Sequence, residues 1–357
     1  MLQLMKTKDI VYITLLAAIF AAGCSRNTAT KYAAPVFPEE YEVEWEIISD
    51  ELMYLPWTLD MSGDYLLVNG DKQDSPATLF IYDKRSGKQL FAGLNYGRGP
   101  RETLRSRRNL VVKGDVVYQY DPVLGKRLSY NVDSLVHYGP TAIHDDSWDY
   151  PVWTKFMYES GDYVLNIRNE SPVAKFKTDL PRIYLQDKEG RIVSEDNNSS
   201  IEDPGERFLL YMNIYVSVSP DGGHFAIGIS GGSILETFAI GEGEIERTGT
   251  GNFTKPEIVV NPGLSGYSLK PEGLVGFEDV YAMNDCVVTS YDGISRWSDP
   301  KENRNHKIAV FNWDCTPRML YHTQYPIMAV CAEPGCRIFY GIISDSDGRY
   351  FLARATL

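Results

Sequence analysis

The sequence has 357 residues, with 48 Asp and Glu against 35 Lys and Arg and a formal net charge of −13. A chain of this length exceeds an average single domain, although all-β propellers of this size form one unit. The excess of negative charge disfavours binding to nucleic-acid phosphates, so no nucleic-acid partner is expected.

Residues 1–23 have the composition of an export signal. Lys6 and Lys8 make its start positive, and the apolar stretch 10–20 is shorter than the roughly 20 residues that span a bilayer. The small residues directly before Cys24 resemble the signal of a bacterial lipoprotein, in which this cysteine becomes the lipidated first residue of the mature chain. An ordinary cleaved signal followed by a chance cysteine is the alternative.

The residues after Cys24 read SRNT and contain no acidic run, which favours an anchor that faces the periplasm. Contact with the membrane is expected only through this lipid. Residues 1–23 carry Lys6, Lys8 and Asp9, a sum of +1, so their removal changes the net charge from −13 to −14. Residues 24–38 are predicted to form a flexible tether.

A short motif recurs along the rest of the chain, in which a turn is followed by alternating apolar residues. Its six copies are spaced by 47 to 63 residues, close to the ~40 to 50 residues of a propeller blade. The copies are SGDYLLVNG at 62–70, KGDVVYQYD at 113–121, SGDYVLNIR at 160–168, PDGGHFAIGIS at 220–230, NDCVVTSYD at 284–292 and PGCRIFYGI at 334–342.

Most copies continue into two strands joined by a tight polar turn, as in LFIYDKRSGKQLF at 79–91 and YQYDPVLGKRLSY at 118–130. The sixth copy stops after three strands, and YEVEWEIIS at 41–49 is predicted to supply the fourth, which removes an open sheet edge. The predicted fold is all-β, a six-bladed propeller of four-stranded antiparallel blades over 39–357, with no helix of useful length.

Three features resemble the TolB-like six-bladed propeller family of bacterial lipoproteins. Residues 97–102 read GRGPRE and match that family's G-x-G-P-x-E element, residues 219–222 read SPDG, and residues 306–344 are similar to its closing hairpins. Cys315 departs from the pattern, since a glycine commonly follows the aspartate there. The resemblance implies a propeller in the cell envelope, and for most members no activity is established.

The GRGPRE stretch also invites comparison with a nucleotide-binding loop. A dinucleotide loop needs a third glycine where Glu102 stands, and a Walker loop needs a lysine after the last glycine, where Pro100 stands. We therefore interpret the stretch as a crossing between blades, in which Gly97 and Gly99 permit a sharp turn that Pro100 stiffens. No cofactor is expected.

Crossings between blades share one propeller face with the hairpins between second and third strands, and here that face holds the long loops. Arginine forks suit carboxylate, sulfate or phosphate groups. The candidate ligand-binding residues on this face are Arg98, Arg101, Arg105, Arg107, Arg108 and Trp297. The alternative is that the arginines pair with carboxylates such as Glu102 or are solvated, and that the tryptophan packs within a blade.

Metal binding is not expected. The five histidines show no H-x-H or H-E-x-x-H spacing, and HDDSWD at 144–149 is interpreted as a solvated loop rather than a cation site. The four cysteines after Cys24 lack the paired C-x2-C of zinc sites. In an oxidising compartment they permit disulfides, predicted as Cys331 with Cys336 and Cys286 with Cys315, on the face opposite the long loops.

These features together predict a monomeric, lipid-anchored propeller that binds an envelope protein, peptide or glycan without catalysis. The same scaffold also hosts enzymes, so a glycan-active hydrolase or lyase, or a metal-dependent lactonase, is the alternative. A third hypothesis makes the chain a subunit of an assembly.

Overall fold

The computed structural model describes residues 32–49, 55–71, 75–104, 110–148, 154–168, 180–264, 266–295 and 306–357. Two strands precede the first blade, β1 (Glu39–Glu42) and β2 (Trp45–Ser49). Blade 1 contains β3 (Leu55–Ser62), β4 (Tyr65–Asp71), β5 (Ala77–Asp83) and β6 (Gln89–Asn95). Blade 2 contains β7 (Leu110–Lys113), β8 (Val116–Asp121), β9 (Lys126–Asn131) and, after helix α1 (Val132–Tyr138) and a 3-10 turn, β10 (His144–Ser147).

The remaining blades follow in the same order. Blade 3 contains β11 (Thr154–Ser160), β12 (Tyr163–Arg168), β13 (Ile183–Asp187) and β14 (Ile192–Asp196). Helix α2 (Pro204–Met212) leads to blade 4, with β15 (Ile214–Val218), β16 (His224–Ile229), β17 (Ile234–Ile240) and β18 (Ile245–Asn252). A small hairpin of β19 (Ile258–Val260) and β20 (Tyr267–Leu269) then leads to blade 5, with β21 (Leu274–Ala282), β22 (Val287–Ser295), β23 (His306–Phe311) and β24 (Pro317–Thr323). Blade 6 contains β25 (Ile327–Ala332), β26 (Ile338–Ser344) and β27 (Tyr350–Thr356).

The six sheets form a ring around their first strands. Innermost strand β3 contacts β7 on one side and β25 on the other, while β21 contacts both β15 and β25. Every blade contains four antiparallel strands in hydrogen-bonded order, and blade 5 has a fifth strand at its outer edge. The predicted six-bladed propeller is therefore confirmed.

The ring is closed by β2, a strand that precedes blade 1 in the chain and lies within the predicted segment 41–49. β2 pairs antiparallel with β27, with Trp45 opposite Ala355, and so completes blade 6. The indole of Trp45 lies so close to Gly341 that a Cβ there would meet it at 2.7 Å. The preceding β1 pairs in parallel with β24, so residues 39–42 form a fifth strand of blade 5 rather than part of the closing strand.

Successive side chains of the middle strands pack against different neighbouring blades, so both faces of each blade are buried. In β4, Leu66 and Val68 pack in one core cluster with Phe339 of blade 6, whereas Leu67 packs in another with Val117 of blade 2. Successive side chains of a strand point to opposite faces. Each blade thus binds its two neighbours with alternate residues of the same strand.

The two α-helices of the described ranges are short insertions that the strand pattern did not predict. Asn131 caps α1 by accepting from the Ser134 N–H, and Asp203 caps α2 by accepting from the Glu206 N–H. The turn within YQYDPVLGKRLSY joins β8 and β9, the second and third strands of blade 2, and α1 follows between β9 and β10. Its fourth strand is β10, so residues 144–147, predicted as a loop, are a strand with four exposed side chains.

The segment before β1 lies on the propeller surface. The Ala33 N–H donates to the Asn252 carbonyl at 3.0 Å, and Phe37 packs edge-on against Phe311. Residues 32–38 of the predicted tether are therefore packed on blades 4 and 5. Within the described ranges, no helix has the length and apolar character needed to cross a membrane.

Two surfaces follow from this topology. The turn face carries the hairpins between first and second strands, such as 63–64, 114–115, 283–286 and 333–337. The loop face, at the opposite ends of the strands, carries the crossings between blades.

Candidate functional site

The first strands of all six blades enclose a cavity of about 280 Å³ at the turn-face end of the ring. Its wall is mainly apolar because buried strand ends supply it. Each blade contributes one or more residues, including Asp60, Val111, Phe156, Val218, Tyr281 and Ala332.

Asp60 is one of two acids that line this cavity, the other being Asp285. It lies on β3, between the buried Leu59 and the partly buried Met61, and remains partly exposed to the cavity. Within the described part of the chain, its carboxyl has no hydrogen-bond or ion-pair partner. Desolvation by the surrounding protein raises the pKa of Asp60 from 3.8 to about 7. The group is therefore ready to act as either acid or carboxylate near neutral pH.

Other polar groups around the cavity mouth are already engaged in bonds between neighbouring blades. The Ser62 hydroxyl donates to the Gly114 carbonyl at 3.1 Å, which joins blades 1 and 2. The Ser217 hydroxyl accepts from the Ala282 N–H at 3.0 Å, which joins blades 4 and 5. These bonds fix the shape of the rim.

Two further rim residues have partners as well. The Asn284 side chain accepts from the Asp221 N–H at 3.2 Å. The Asp285 carboxylate lies 3.1 Å from the Arg318 guanidinium. Of the two acids among the described lining residues, Asp60 is thus the one that a ligand can engage without first breaking an ion pair.

The predicted arginine site lies elsewhere, on the loop face. Arg98 and Arg101 are exposed, and neither guanidinium forms an ion pair with another residue that the structure describes. Arg105, Arg107, Arg108 and Trp297 lie outside the described residues. The Glu102 carboxylate, considered as an arginine partner, instead accepts from the Gly99 N–H at 2.6 Å.

The geometry of residues 97–102 is that of a crossing held by its own glutamate. A Cβ on Gly97 would overlap the Glu102 carboxylate, and a Cβ on Gly99 would lie 2.9 Å from it. The Gly99 carbonyl accepts from Lys126 Nζ at 3.0 Å, which ties the crossing to blade 2. Pro100 is exposed beside these contacts. Both glycines are required so that the carboxylate can fold back onto the turn.

The acids of HDDSWD at 144–149 form hydrogen bonds and ion pairs with the crossing and with blade 2. Asp145 accepts from the Arg101 N–H at 2.7 Å and lies 3.3 Å from Lys126 Nζ. Asp146 pairs with Arg127 at 2.9 Å. Across the described ranges, no group of three or more His, Cys, Asp and Glu side chains is placed to hold a metal ion.

Neither predicted disulfide is present, and Cys286, Cys315, Cys331 and Cys336 are all buried thiols. Cys286 and Cys315 share blade 5 but face opposite neighbours. The Cys315 thiol donates to the Leu235 carbonyl of blade 4 at 3.4 Å, whereas Cys286 Sγ lies 3.6 Å from Cys336 Sγ of blade 6. The thiols of Cys286 and Cys315 therefore contact residues of neighbouring blades and not each other.

Sequence reasoning missed the cavity because the repeated motif marks the strands after each turn. The residues that line it come before the turns, as in TLDMSG at 58–63. One signal was available: an acid stands among the apolar residues that lead into the first turn. Its significance depends on five other strands converging on it.

The sequence matches no protein-family model and no curated protein. Several solved structures are similar in fold. A Bacteroides fragilis protein described as exported is 12% identical, with 89% of this chain and 98% of that chain covered and a TM-score of 0.48. The β-propeller domain of Cps50 (Swd1) from Myceliophteria thermophila is 8% identical, with 84% and 95% covered and a TM-score of 0.45. A gluconolactonase from Xanthomonas campestris is 10% identical, with 87% and 88% covered and a TM-score of 0.44.

Proposed function

We propose that the chain is a non-catalytic binding module of the bacterial cell envelope, a TolB-like propeller held by a lipid on Cys24 and facing the periplasm. The signal-like composition of residues 1–23, the small residues before Cys24 and the GRGPRE element support this placement. Labelled palmitate should enter the parent chain but not Cys24→Ser.

The ligand that best fits the cavity is a protein or peptide segment that inserts one aliphatic side chain ending in an amine. The observation that carries this proposal is the unpartnered Asp60 carboxyl inside an apolar wall built by all six blades. The aliphatic part of such a side chain gains from burial, and its ammonium pairs with the carboxylate. A volume near 280 Å³ is at the small end of ligand pockets and suits a side chain.

A sugar fits the same cavity less well. Each ring carries several hydroxyl groups, and every buried hydroxyl without a partner costs free energy. The rim residues Ser62, Ser217 and Asn284 already have partners. The chemistry of the cavity therefore favours a segment with one polar end over a ligand with many.

Binding of an amine should depend on pH in a defined direction. With a pKa of about 7, Asp60 is mostly neutral at pH 6 and mostly charged at pH 8. An ammonium group binds the charged form more strongly, so affinity should rise over this interval while the amine itself stays protonated.

The test uses the full chain in detergent and pentylamine as a probe for a lysine side chain. We expect pentylamine to raise the melting temperature of the parent at pH 8, and pentanol, which lacks the charge, to have a smaller effect. Asp60→Asn should lose the response to the amine. Asp115→Asn is the matched control, because it removes the same charge from an exposed position on the same face.

The purified chain and both variants are then compared in capture of envelope extract. Material retained by the parent and Asp115→Asn, lost with Asp60→Asn and released by pentylamine would support the proposal. Equal responses of all three proteins would refute it. Hydrolysis of glycans or lactones that disappears with Asp60→Asn would replace it with the enzyme alternative.

The exposed Arg98 and Arg101 support a second binding proposal, for an anionic group on the loop face. Both side chains are exposed, and neither guanidinium forms an ion pair within the described structure, although Asp145 accepts from the Arg101 backbone N–H. Replacing Arg98, Arg101 and Arg105 with Ala should remove captured anionic partners. Capture of identical material by parent and variant would exclude this surface.

A further inference from the structure

Three sulfur atoms from neighbouring hairpins of the turn face meet beside the cavity. Cys286 Sγ lies 3.6 Å from Cys336 Sγ, and Met283 Sδ lies 3.8 Å from each of them. Both thiols are fully buried, while Met283 also lines the cavity. The cluster thus joins blades 5 and 6 and borders the cavity through its thioether.

The backbone holds these side chains in place. The Met283 N–H donates to the Cys286 carbonyl at 2.8 Å, and the Cys336 N–H donates to the Glu333 carbonyl at 3.0 Å. The Tyr321 hydroxyl donates to the Cys336 carbonyl at 2.8 Å. Cys336 has a φ of +52°, a left-handed conformation that costs a residue with a side chain about 1 kcal/mol. Rigid turns therefore aim both thiols at one point.

The distances suit a bound ion better than a covalent bond. A point in the plane of the three sulfurs lies about 2.2 Å from each atom, close to the ~2.3 Å of a metal–thiolate bond. A disulfide requires about 2.05 Å between sulfurs, so Cys286 and Cys336 would have to approach by roughly 1.5 Å. An ion could enter with little movement of the protein.

The donor set indicates which ion. Thiolate and thioether ligands select soft monovalent copper, whereas zinc in structural sites takes four ligands and hard cations take oxygen. Two thiolates and one thioether therefore favour Cu(I) over zinc and over hard cations.

We propose that Met283, Cys286 and Cys336 form a three-coordinate Cu(I) site that is loaded through the cavity. This site has two cysteines and one methionine, so it differs from the clusters of three or more His, Cys, Asp and Glu side chains considered above. On binding, the thiol protons pass to solvent and two copper–thiolate bonds and one copper–thioether bond form. Copper enters and stays as Cu⁺, so no oxidant or reductant is consumed.

The test titrates Cu(I) into the reduced full chain without oxygen, against bicinchoninate as a competing chelator. Cys24→Ser is present in every sample, so that only the four buried cysteines remain. We expect one Cu(I) per chain and X-ray absorption from three sulfurs near 2.2 to 2.3 Å. Cys286→Ser and Cys336→Ser should abolish retention against the chelator.

Two variants separate ligation from folding. Met283→Leu keeps the volume of the side chain and should weaken Cu(I) binding by at least about tenfold without changing the fold. Cys315→Ser removes a buried thiol outside the cluster and should bind like the parent. Equal retention by Met283→Leu and the parent would overturn the site. So would a Cys286–Cys336 disulfide in the untreated chain that re-forms in preference to copper binding.

Discussion

The candidate sites on the two faces of the propeller hold their charged residues in opposite environments. On the loop face, Arg98 and Arg101 extend from an exposed crossing into solvent. On the turn face, Asp60 sits inside a ring of six strands, where desolvation raises its pKa to about 7. The loop face has the longer connections, while the turn face has the enclosed space.

This contrast shows how exposure to solvent determines the free energy with which a charged side chain interacts with a partner. An exposed guanidinium loses little when its partner is removed, since surface ion pairs contribute about 0 to 1 kcal/mol. A carboxyl surrounded by protein interacts with any entering charge much more strongly, because the medium screens less. The turn face is therefore expected to give a more selective site from fewer charged groups.

The largest expected effect concerns Asp60. Its pKa in the fold lies above 3.8, so the fold prefers the neutral form and loses stability as the pH rises from about 4 to about 7. We expect Asp60→Asn to raise the free energy of unfolding by up to about 4 kcal/mol at pH 8, with the gain fading toward pH 4. Urea unfolding across this range measures it, and Asp115→Asn should show no such trend. An Asn variant less stable than the parent at pH 8 would contradict a desolvated carboxyl.

The next effect tests whether the GRGPRE crossing is structural. Gly97→Ala should force the Glu102 carboxylate away from the Gly99 N–H and destabilise the protein by about 2 kcal/mol, the value of a hydrogen bond to a charged group. Gly241→Ala is the matched control, since a Cβ there meets nothing within 4 Å. Thermal unfolding should separate the two variants by several degrees, while the response to pentylamine stays intact in both.

A smaller effect is expected at the rim of the cavity. Ser62→Ala removes the bond to the Gly114 carbonyl and should cost about 1 kcal/mol. Ser268→Ala, at an exposed strand position, should be close to neutral. If both variants unfold at the same denaturant concentration, the bond between blades 1 and 2 contributes nothing measurable.

The smallest effect is expected at the exposed arginines. Arg98→Ala and Arg101→Ala should each change stability by less than about 0.5 kcal/mol, because neither guanidinium has a charged partner within the described structure. Denaturant unfolding of the single variants measures this. A loss above about 1 kcal/mol in either would show that the loop face depends on these side chains for its structure.

The fold could be predicted because its signals are local. Gly63, Gly114, Gly161 and Gly335 each have positive φ in the structure, which is why the turn motif is legible in the sequence. Alternating apolar residues then define the strands on either side. Helix α2 escaped prediction because nine residues show too little periodicity, although Asp203, Pro204 and Glu206 are ordinary capping signals.

The site could not be predicted in the same way because it is made by contacts between distant strands. Asp60 is unusual only after blades 5 and 6 close against blade 1, since desolvation is a property of the assembled ring. The cysteines show the same limit. Their spacing suggested pairs within a blade, but the direction in which each side chain leaves its turn brought Cys286 to Cys336 instead.

The parallel pairing of β1 with β24 has a mechanical consequence. A pull on the N-terminal end of the described chain reaches blade 5 before it reaches β2, which seals blade 6. Tension directed along β1 loads its hydrogen bonds in shear, so several must rupture together rather than one after another. A force applied at the N-terminal end of the described chain is therefore expected to load the β1–β24 pairing before the β2–β27 pairing that closes the ring.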